Sequence, residues 1–566
     1  MPRQPNILFI ICDDLAWGDL ACHGNLHTKT PHVDQLRREG HALDGYRSGP
    51  VCTPARAALM TGRHPYRTRA IDTYCGRSML EPGEVTVAEM LKLAGYRTAL
   101  FGKWHLGDSC PTRPQDQGFD QVLMHRGGGL CQPGCIGNGA YFDPDLEENG
   151  KRVRKLGYCT DVFTDAALNW IGGQLGSPDP WFAYVAYNAP HTPLLVGDKW
   201  LKRYRDSGLP EAFARLYAMV DNIDWNVGRL LTALDKAGLA EDTLVVFTAD
   251  HGPCPSANVE GRVRYNAGLR DQKGTFYEGG LRVPCFVRWP DRVTPGQTDT
   301  LANPIDWLPT LADLTGAPLP DDRAIDGTSL RPLLTGEPAG GPLARRILCM
   351  QWHRGDRPEP YRNCMAMSAD SWKWLVPDCE RSAPERAELY CLPEDPEERH
   401  NRIDEQPERA ADLRRAYLDW FNDVSATRED NYAPPRIHIG DTREPVVTLT
   451  PQDWRMYGDR DGWQTPDVPG YWVVAIRQPG AYRVAVTLFE PPPKGSHLTL
   501  RCGDTEAAMP VPEQAGQPVF GGGQLVWDAI DLPAGPQRLE VLVQTFDQRN
   551  LGVRAVEVKP AGDLRT

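Results

Sequence analysis

Asn6-Ile7-Leu8-Phe9-Ile10-Ile11-Cys12 is an almost unbroken apolar run that ends on two acids, Asp13-Asp14. A strand with one wet face alternates polar and apolar residues, so a short continuous run reads as a strand covered on both sides. Similar runs recur at Arg97–Lys103, Trp181–Tyr187, 243–248 and 283–287. The stretches between them have helical spacing instead. Pro31–Glu39 opens after Thr30 and closes at Gly40, and 85–94 closes at Gly95. Glu211–Lys236 carries Phe213, Leu216, Val220, Ile223, Val227 and Leu231 on one face. Strand and helix in alternation predict an α/β domain over residues 1–344, a large mixed sheet sandwiched by helices. In such sheets ligands bind beyond the carboxyl ends of the strands, which directs attention to Asp13-Asp14 and to Asp250-His251.

The pattern changes after residue 344. Short strands at Ile347–Gln351 and Trp372–Val376, a turn-rich stretch from Cys391 to Pro396 and a helix near 410–421 predict a small α+β C-terminal subdomain over 345–435. From 436 to 566, strand-like runs recur at 471–476, 482–488, 498–501, 525–530, 539–543 and 553–558 with Gly and Pro turns between them. That segment is expected to be an additional C-terminal β-sandwich. Asp531-Leu532-Pro533-Ala534-Gly535-Pro536-Gln537-Arg538 resembles the closing strands of carbohydrate-binding-like modules. A structural lid or an oligomer contact would serve as well, and Trp463, Trp472 and Trp527 read equally as core.

Composition narrows the partners. Lys plus Arg number 62 against 75 Asp plus Glu, a net charge of −13, which argues against nucleic acid and against an anionic membrane surface. No apolar run approaches the ~20 residues that span a bilayer, so a soluble globular protein is expected. Any anionic ligand then needs a local basic pocket. The 15 cysteines are too few, in 566 residues, for a disulfide scaffold. No signal peptide is visible before Asp13, which predicts a cytoplasmic chain with reduced cysteines; removal of a leader would make it periplasmic or secreted.

The most informative stretch is Val51-Cys52-Thr53-Pro54-Ala55-Arg56, continued by Ala57-Ala58-Leu59-Met60-Thr61-Gly62-Arg63. It places a cysteine at the mouth of a helix that has proline in its first turn and glycine at its end. Unpaired amides there favour an anion and lower a thiol's pKa. Taken alone, a buried structural cysteine explains the position as well. Cys-x-Pro-x-Arg, however, resembles the recognition core of the formylglycine-dependent (type I) sulfatase family of the alkaline phosphatase superfamily. Other motifs of that arylsulfatase-like family follow in the same order: Asn6 to Asp14, Gly102-Lys103-Trp104-His105-Leu106-Gly107, Ala189-Pro190-His191-Thr192-Pro193, Thr248-Ala249-Asp250-His251-Gly252 and Lys273 to Gly280.

The resemblance implies an alkaline-phosphatase-like fold and a sulfuric ester hydrolase in which a formylglycine-generating enzyme has converted Cys52 to formylglycine. The hydrated aldehyde would act as nucleophile, and its second hydroxyl would expel sulfate. By similarity, Asp13, Asp14, Asp250, His251 and residue 52 hold a divalent metal, Ca2+ by the hardness of the carboxylates. Arg56 steadies the site, Lys103 and Lys273 grip sulfate, His105 is the base and His191 the acid. Many arylsulfatases have Asn where this chain has His251; a nitrogen ligand would also admit manganese or zinc. Members with His there include sugar sulfatases and phosphonate-ester hydrolases, while Asp14 favours sulfate.

The expected substrate is a small-molecule or oligosaccharide sulfate ester. Arg262, Arg264 and Arg270, just before Lys273, are candidates to bind a uronate or second sulfate, with a solvated arginine face as the plain alternative. A phosphonate monoester or phosphodiester hydrolase of the same superfamily and an inactive glycan-binding homologue are the competing readings. Cys131, Cys135, His125 and Cys110 are too irregularly spaced for a zinc site. Gly127-Gly128-Gly129 is expected to let a loop pass close to the pocket, and Asp143 to Glu148 to be a solvated acidic loop.

Overall fold

The computed structural model describes residues 4–135, 137, 139–253, 263–426, 432–457, 465, 468–512 and 524–562. Among these, ten strands form one mixed sheet. In chain order they are β1 (Asn6–Cys12), β2 (His41–Leu43), β3 (Arg97–Lys103), β4 (Gln121–His125), β5 (Asp145–Glu148), β6 (Lys151–Arg154), β7 (Trp181–Tyr187), β8 (Thr243–Ala249), β9 (Cys285–Arg288) and β10 (Gly296–Thr298). Their spatial order is β10-β2-β9-β8-β1-β7-β3-β4-β5-β6. The central five, from β8 to β4, run parallel, and antiparallel strands extend both sides. Every residue of β1, β7 and β8 is buried, as continuous apolar runs require when helices cover both faces.

The helices Pro31–Glu39, Cys159–Gly172 and Glu211–Lys236 pack together as one group, and Cys52–Thr61, Val87–Leu93 and Trp307–Thr315 as another. Periodicity did not signal β2, β4 or the β5–β6 hairpin. The acidic stretch expected as a solvated loop is in fact β5, paired with β4 through Leu123↔Glu148 and Met124↔Glu147. Its Leu146 is buried, and buried Glu147 faces Arg126 at 3.4 Å. Pairing to a strand end satisfies a backbone whose side chains look like loop.

Residues 347–391 form an antiparallel sheet in the order Ile347–Gln351, Cys364–Ser368, Trp372–Val376 and Glu388–Cys391, and the helix Pro407–Val424 packs on it. Lys373 docks this sheet onto the first domain, its buried ammonium 2.9 Å from Glu278 and 2.5 Å from Glu398. The C-terminal segment forms two further sheets, one around Gly470–Ile476 and Gly535–Gln544, the other around Gly480–Thr487 and Ala555–Pro560. Trp454, Trp472, Val484, Leu500 and Val541 fill the core between them, together with Trp527 and with Met79 from the first domain. Trp463 lies outside the described residues. No described helix is long and apolar enough to cross a membrane.

Candidate active site

The polar side chains of interest project from the carboxyl ends of the parallel strands. Asp13 and Asp14 follow β1, Lys103 ends β3 with His105 just beyond it, His191 lies in the loop after β7, and Asp250 and His251 follow β8. Cys52 opens the fully buried helix Cys52–Thr61, which Gly62 closes at φ 67°. Its Sγ lies 3.1 Å from His251 Nε2 and 3.5 Å from Asp13 Oδ1. Burial and the Asp13 carboxylate push this thiol up, but Lys103, Lys273 and His251 outweigh them and bring it down to about 5. One turn along the same helix face, Arg56 donates from Nε to Asp250 Oδ2 at 2.9 Å and from Nη1 to the Lys103 carbonyl at 3.1 Å.

Two lysine–aspartate bridges flank this centre. Lys103 Nζ lies 2.6 Å from Asp13 Oδ2, with both side chains fully buried, and Lys273 Nζ lies 2.8 Å from Asp14 Oδ1. Burial works against ionisation of both acids. Lys103, with His191 and His251, nevertheless holds Asp13 well below the usual carboxylate range, and Lys273, with His191, holds Asp14 at about 2.

Asp13, Cys52, Asp250 and His251 each offer one donor atom within 4.8 Å of the others. His251 donates from Nδ1 to the Gly252 carbonyl at 3.0 Å, and its Nε2 lies 3.5 Å from Asp13 Oδ1 and 3.3 Å from Asp250 Oδ1; burial works against its charge, but the carboxylates of Asp250 and Asp13 hold the imidazole well above its usual range. Asp250 Oδ1 and Asp14 Oδ2 are buried and accept no hydrogen bond. A buried carboxylate oxygen without a donor is costly unless a cation faces it. The donor set therefore fits a divalent metal, with Asp14 beside the group of four.

His191 donates from Nδ1 to the Thr192 carbonyl at 2.6 Å, and its Nε2 lies 3.8 Å from Asp14 Oδ2. His105, at φ 59°, donates from Nε2 to the Thr73 carbonyl at 2.8 Å. Gly128 and Gly129 cover the two imidazoles: a Cβ would come within 2.6 Å of His105 Cε1 at 128 and 3.0 Å of His191 Cε1 at 129. The close approach expected of the triglycine is thus against both rings. The side chains of Lys273 and His191 are 15% and 9% exposed, so the pocket opens on their side.

Of the three arginines expected at the substrate, the two that are described serve other contacts. Arg262 lies outside the described residues. Arg264 is buried, ion-paired with Asp19, and donates to the Asp14 carbonyl at 2.9 Å. It braces the metal-site loop from behind, which corrects its expected role. Arg270 stacks on Tyr277 and donates to Tyr390 Oη at 2.9 Å and the Glu398 carbonyl at 2.8 Å, joining the first domain to the small subdomain. Sequence reasoning missed the Thr73 carbonyl, which no side-chain identity marks. It also missed Asn188, fully buried with neither amide atom hydrogen-bonded, whose position directly after β7 was the available signal.

A family model described as Sulfatase matches residues 5–317, and one described as N-sulphoglucosamine sulphohydrolase, C-terminal, matches residues 267–417. Arylsulfatase A of Homo sapiens is 34% identical over 449 residues, 70% of this chain and 83% of its own. Steryl-sulfatase of Mus musculus is 36% identical over 59% of this chain and 66% of its own, and N-acetylgalactosamine-6-sulfatase of Mus musculus 32% identical over 60% and 68%. The crystal structure of Ps i-CgsB in complex with k-i-k-neocarrahexaose is similar with a TM-score of 0.65 at 28% identity, over 74% of this chain and 93% of that one. The family model and these relatives make the protein a hydrolase of sulfuric esters. The chain belongs to the sulfatase family. The family implies a metal and a formylglycine made from the motif cysteine, here Cys52, and the buried cluster fits both.

Proposed function

We propose that this sulfatase removes sulfate from a carbohydrate, with Ca2+ held by Asp13, Asp14, Asp250 and His251 beside a formylglycine at position 52. The observation that carries the reading is the convergence of the two lysine–aspartate bridges on Cys52. Carboxylate oxygens suit calcium, and the one nitrogen donor widens the choice to manganese or zinc. The carbohydrate rests on relatives: one is named for N-acetylgalactosamine-6-sulfatase activity, and Ps i-CgsB was solved with an oligosaccharide. A formylglycine-generating enzyme is the implied maturation partner.

When present, the metal withdraws charge from the ester and the converted side chain offers a geminal diol in place of the thiol. Lys103 and Lys273 are placed to hold sulfate oxygens as negative charge builds up. His191, anchored through Nδ1, presents Nε2 at the open side, where it can protonate the leaving alcohol. His105, whose Nε2 proton is committed to Thr73, accepts a proton at Nδ1. Arg56 ties the nucleophile helix to Asp250 and to the Lys103 backbone, so the three move as one unit.

Turnover of sulfated mono- and oligosaccharides, read by sulfate release and set beside aryl sulfate and aryl phosphonate esters, tests the proposal. Sulfate release from a sugar is expected. Preference for the phosphonate, or an unmodified thiol at Cys52 in fully active enzyme by peptide mass, would overturn it.

A further inference from the structure

Gln452 belongs to the C-terminal module, between the strands Val447–Leu449 and Arg455–Met456, yet its side chain lies in the active site and is 1% exposed. Its Nε2 donates to the Thr73 carbonyl at 2.7 Å and to Ser78 Oγ at 3.1 Å, and stands 3.4 Å from His105 Nε2. The same Thr73 carbonyl accepts from His105 Nε2. A carbonyl oxygen has two lone pairs and can take both donors. Since it can only accept, His105 carries its proton on Nε2 and keeps a lone pair on Nδ1, which is buried and has no hydrogen-bond partner.

Thr73 sits in a stretch of bends and turns, outside any helix or strand, so no regular backbone ladder holds its carbonyl in place. The C-terminal module supplies the hold. Besides Gln452, Arg455 donates to the Cys75 carbonyl at 2.7 Å, Gly76 N donates to the Gln452 carbonyl at 3.4 Å, and Met79 enters the core of the sandwich. Gly127 and Gly134 pack closely on each other beside the glutamine: a Cβ would come 3.0 Å from the Gly134 Cα at 127 and 2.7 Å from the Gly127 Cα at 134.

We propose that Gln452 is a positioning residue for His105. By pinning the Thr73 carbonyl, the C-terminal module fixes the tautomer and orientation of the imidazole and so completes the active site. The proposal rests on the reading of His105 as the proton acceptor, and two measurements separate the failure of each. Gln452→Met keeps length and bulk without the donor; if it does not fold, Gln452→Leu removes the donor with a smaller apolar side chain.

The first measurement uses the full chain carrying Cys52→Ala, which never turns over. In histidine-labelled protein, the ring-nitrogen signals of His105, assigned by their loss in His105→Asn, are expected to report the Nε2–H tautomer and to move when Gln452→Met is added. The second is steady-state sulfate release: kcat is expected to fall about tenfold in Gln452→Met, with KM within about twofold and an unchanged unfolding midpoint. Unmoved ring signals would overturn the proposal whatever kcat does. Ring signals that move while kcat holds would support positioning and overturn the role of His105 instead.

Discussion

The catalytic pole and the junction with the C-terminal sandwich both bury carboxylates, and they treat them oppositely. At the pole, Asp13 and Asp14 each meet a lysine, at 2.6 and 2.8 Å, and both stay below the usual carboxylate range despite burial. At the junction, burial pushes Asp108 up to about 6, Glu444 to about 7 and Asp453 to about 8. Arg126, shared among all three, and Arg113 beside Glu444 offset this only in part. Desolvation acts alike in both places, and the supply of nearby cations decides the sign. Asp13 and Asp14 stay ionised, whereas at the junction Asp453 keeps its proton up to about pH 8. Asp250 marks the boundary: burial and Asp13 hold it above the usual range although Arg56 is bonded to it, and its second oxygen faces the metal position.

Removing the cation that distinguishes the pole gives the largest expected effect. Lys103→Met leaves Asp13 buried beside fewer positive charges, so turnover of an aryl sulfate should fall about 10²–10³-fold and urea unfolding should show a loss of about 3–5 kcal/mol. A variant with both values intact would break the comparison. Next comes the metal itself. Chelation should lower the unfolding midpoint, and free metal at a hundred times its dissociation constant should restore about 2.7 kcal/mol, a response that Asp250→Asn abolishes.

The junction is sharpened by pH. Asp453 binds its proton more tightly folded, at about 8, than unfolded, at about 3.9, so the folded chain holds more protons between those values. The stability it contributes is complete below the unfolded pKa and is lost as pH rises through about 8. The unfolding midpoint of the unaltered chain should therefore fall as pH rises from about 4 to about 8 and level off above that, and Asp453→Asn should flatten that fall. The smallest effect is expected outside both clusters. Arg270→Ala removes a guanidinium stacked on Tyr277 and should cost about 1 kcal/mol in thermal unfolding, with KM for sulfated substrates unchanged. A raised KM would return Arg270 to the substrate pocket.

Much of the fold was legible. β1, β3 and β7 and the helices Pro31–Glu39 and Glu211–Lys236 were readable residue for residue, because strands buried on both faces and long amphipathic helices leave clear periods. β2, β4 and β5 were not, since strands that short or that acidic take their identity from the neighbour they pair with. In the site, the acids, Cys52, both lysines and both histidines stand in compact motifs next to strand ends. Arg264 was misread because a guanidinium serves an anionic ligand or an internal aspartate equally well, and its sequence neighbours do not say which lies opposite.

Chain order alone determined which chemical groups reach the carboxyl ends of the parallel strands, because alternating burial periods place each motif there through short-range rules. Only the tertiary structure decided what surrounds those groups. Gln452 meets a carbonyl 379 positions away in the chain, and Met79 fills the core of a domain that begins hundreds of residues later. A backbone oxygen has the same chemistry at every residue, so its partner is set by packing, and packing is settled only when distant segments come together.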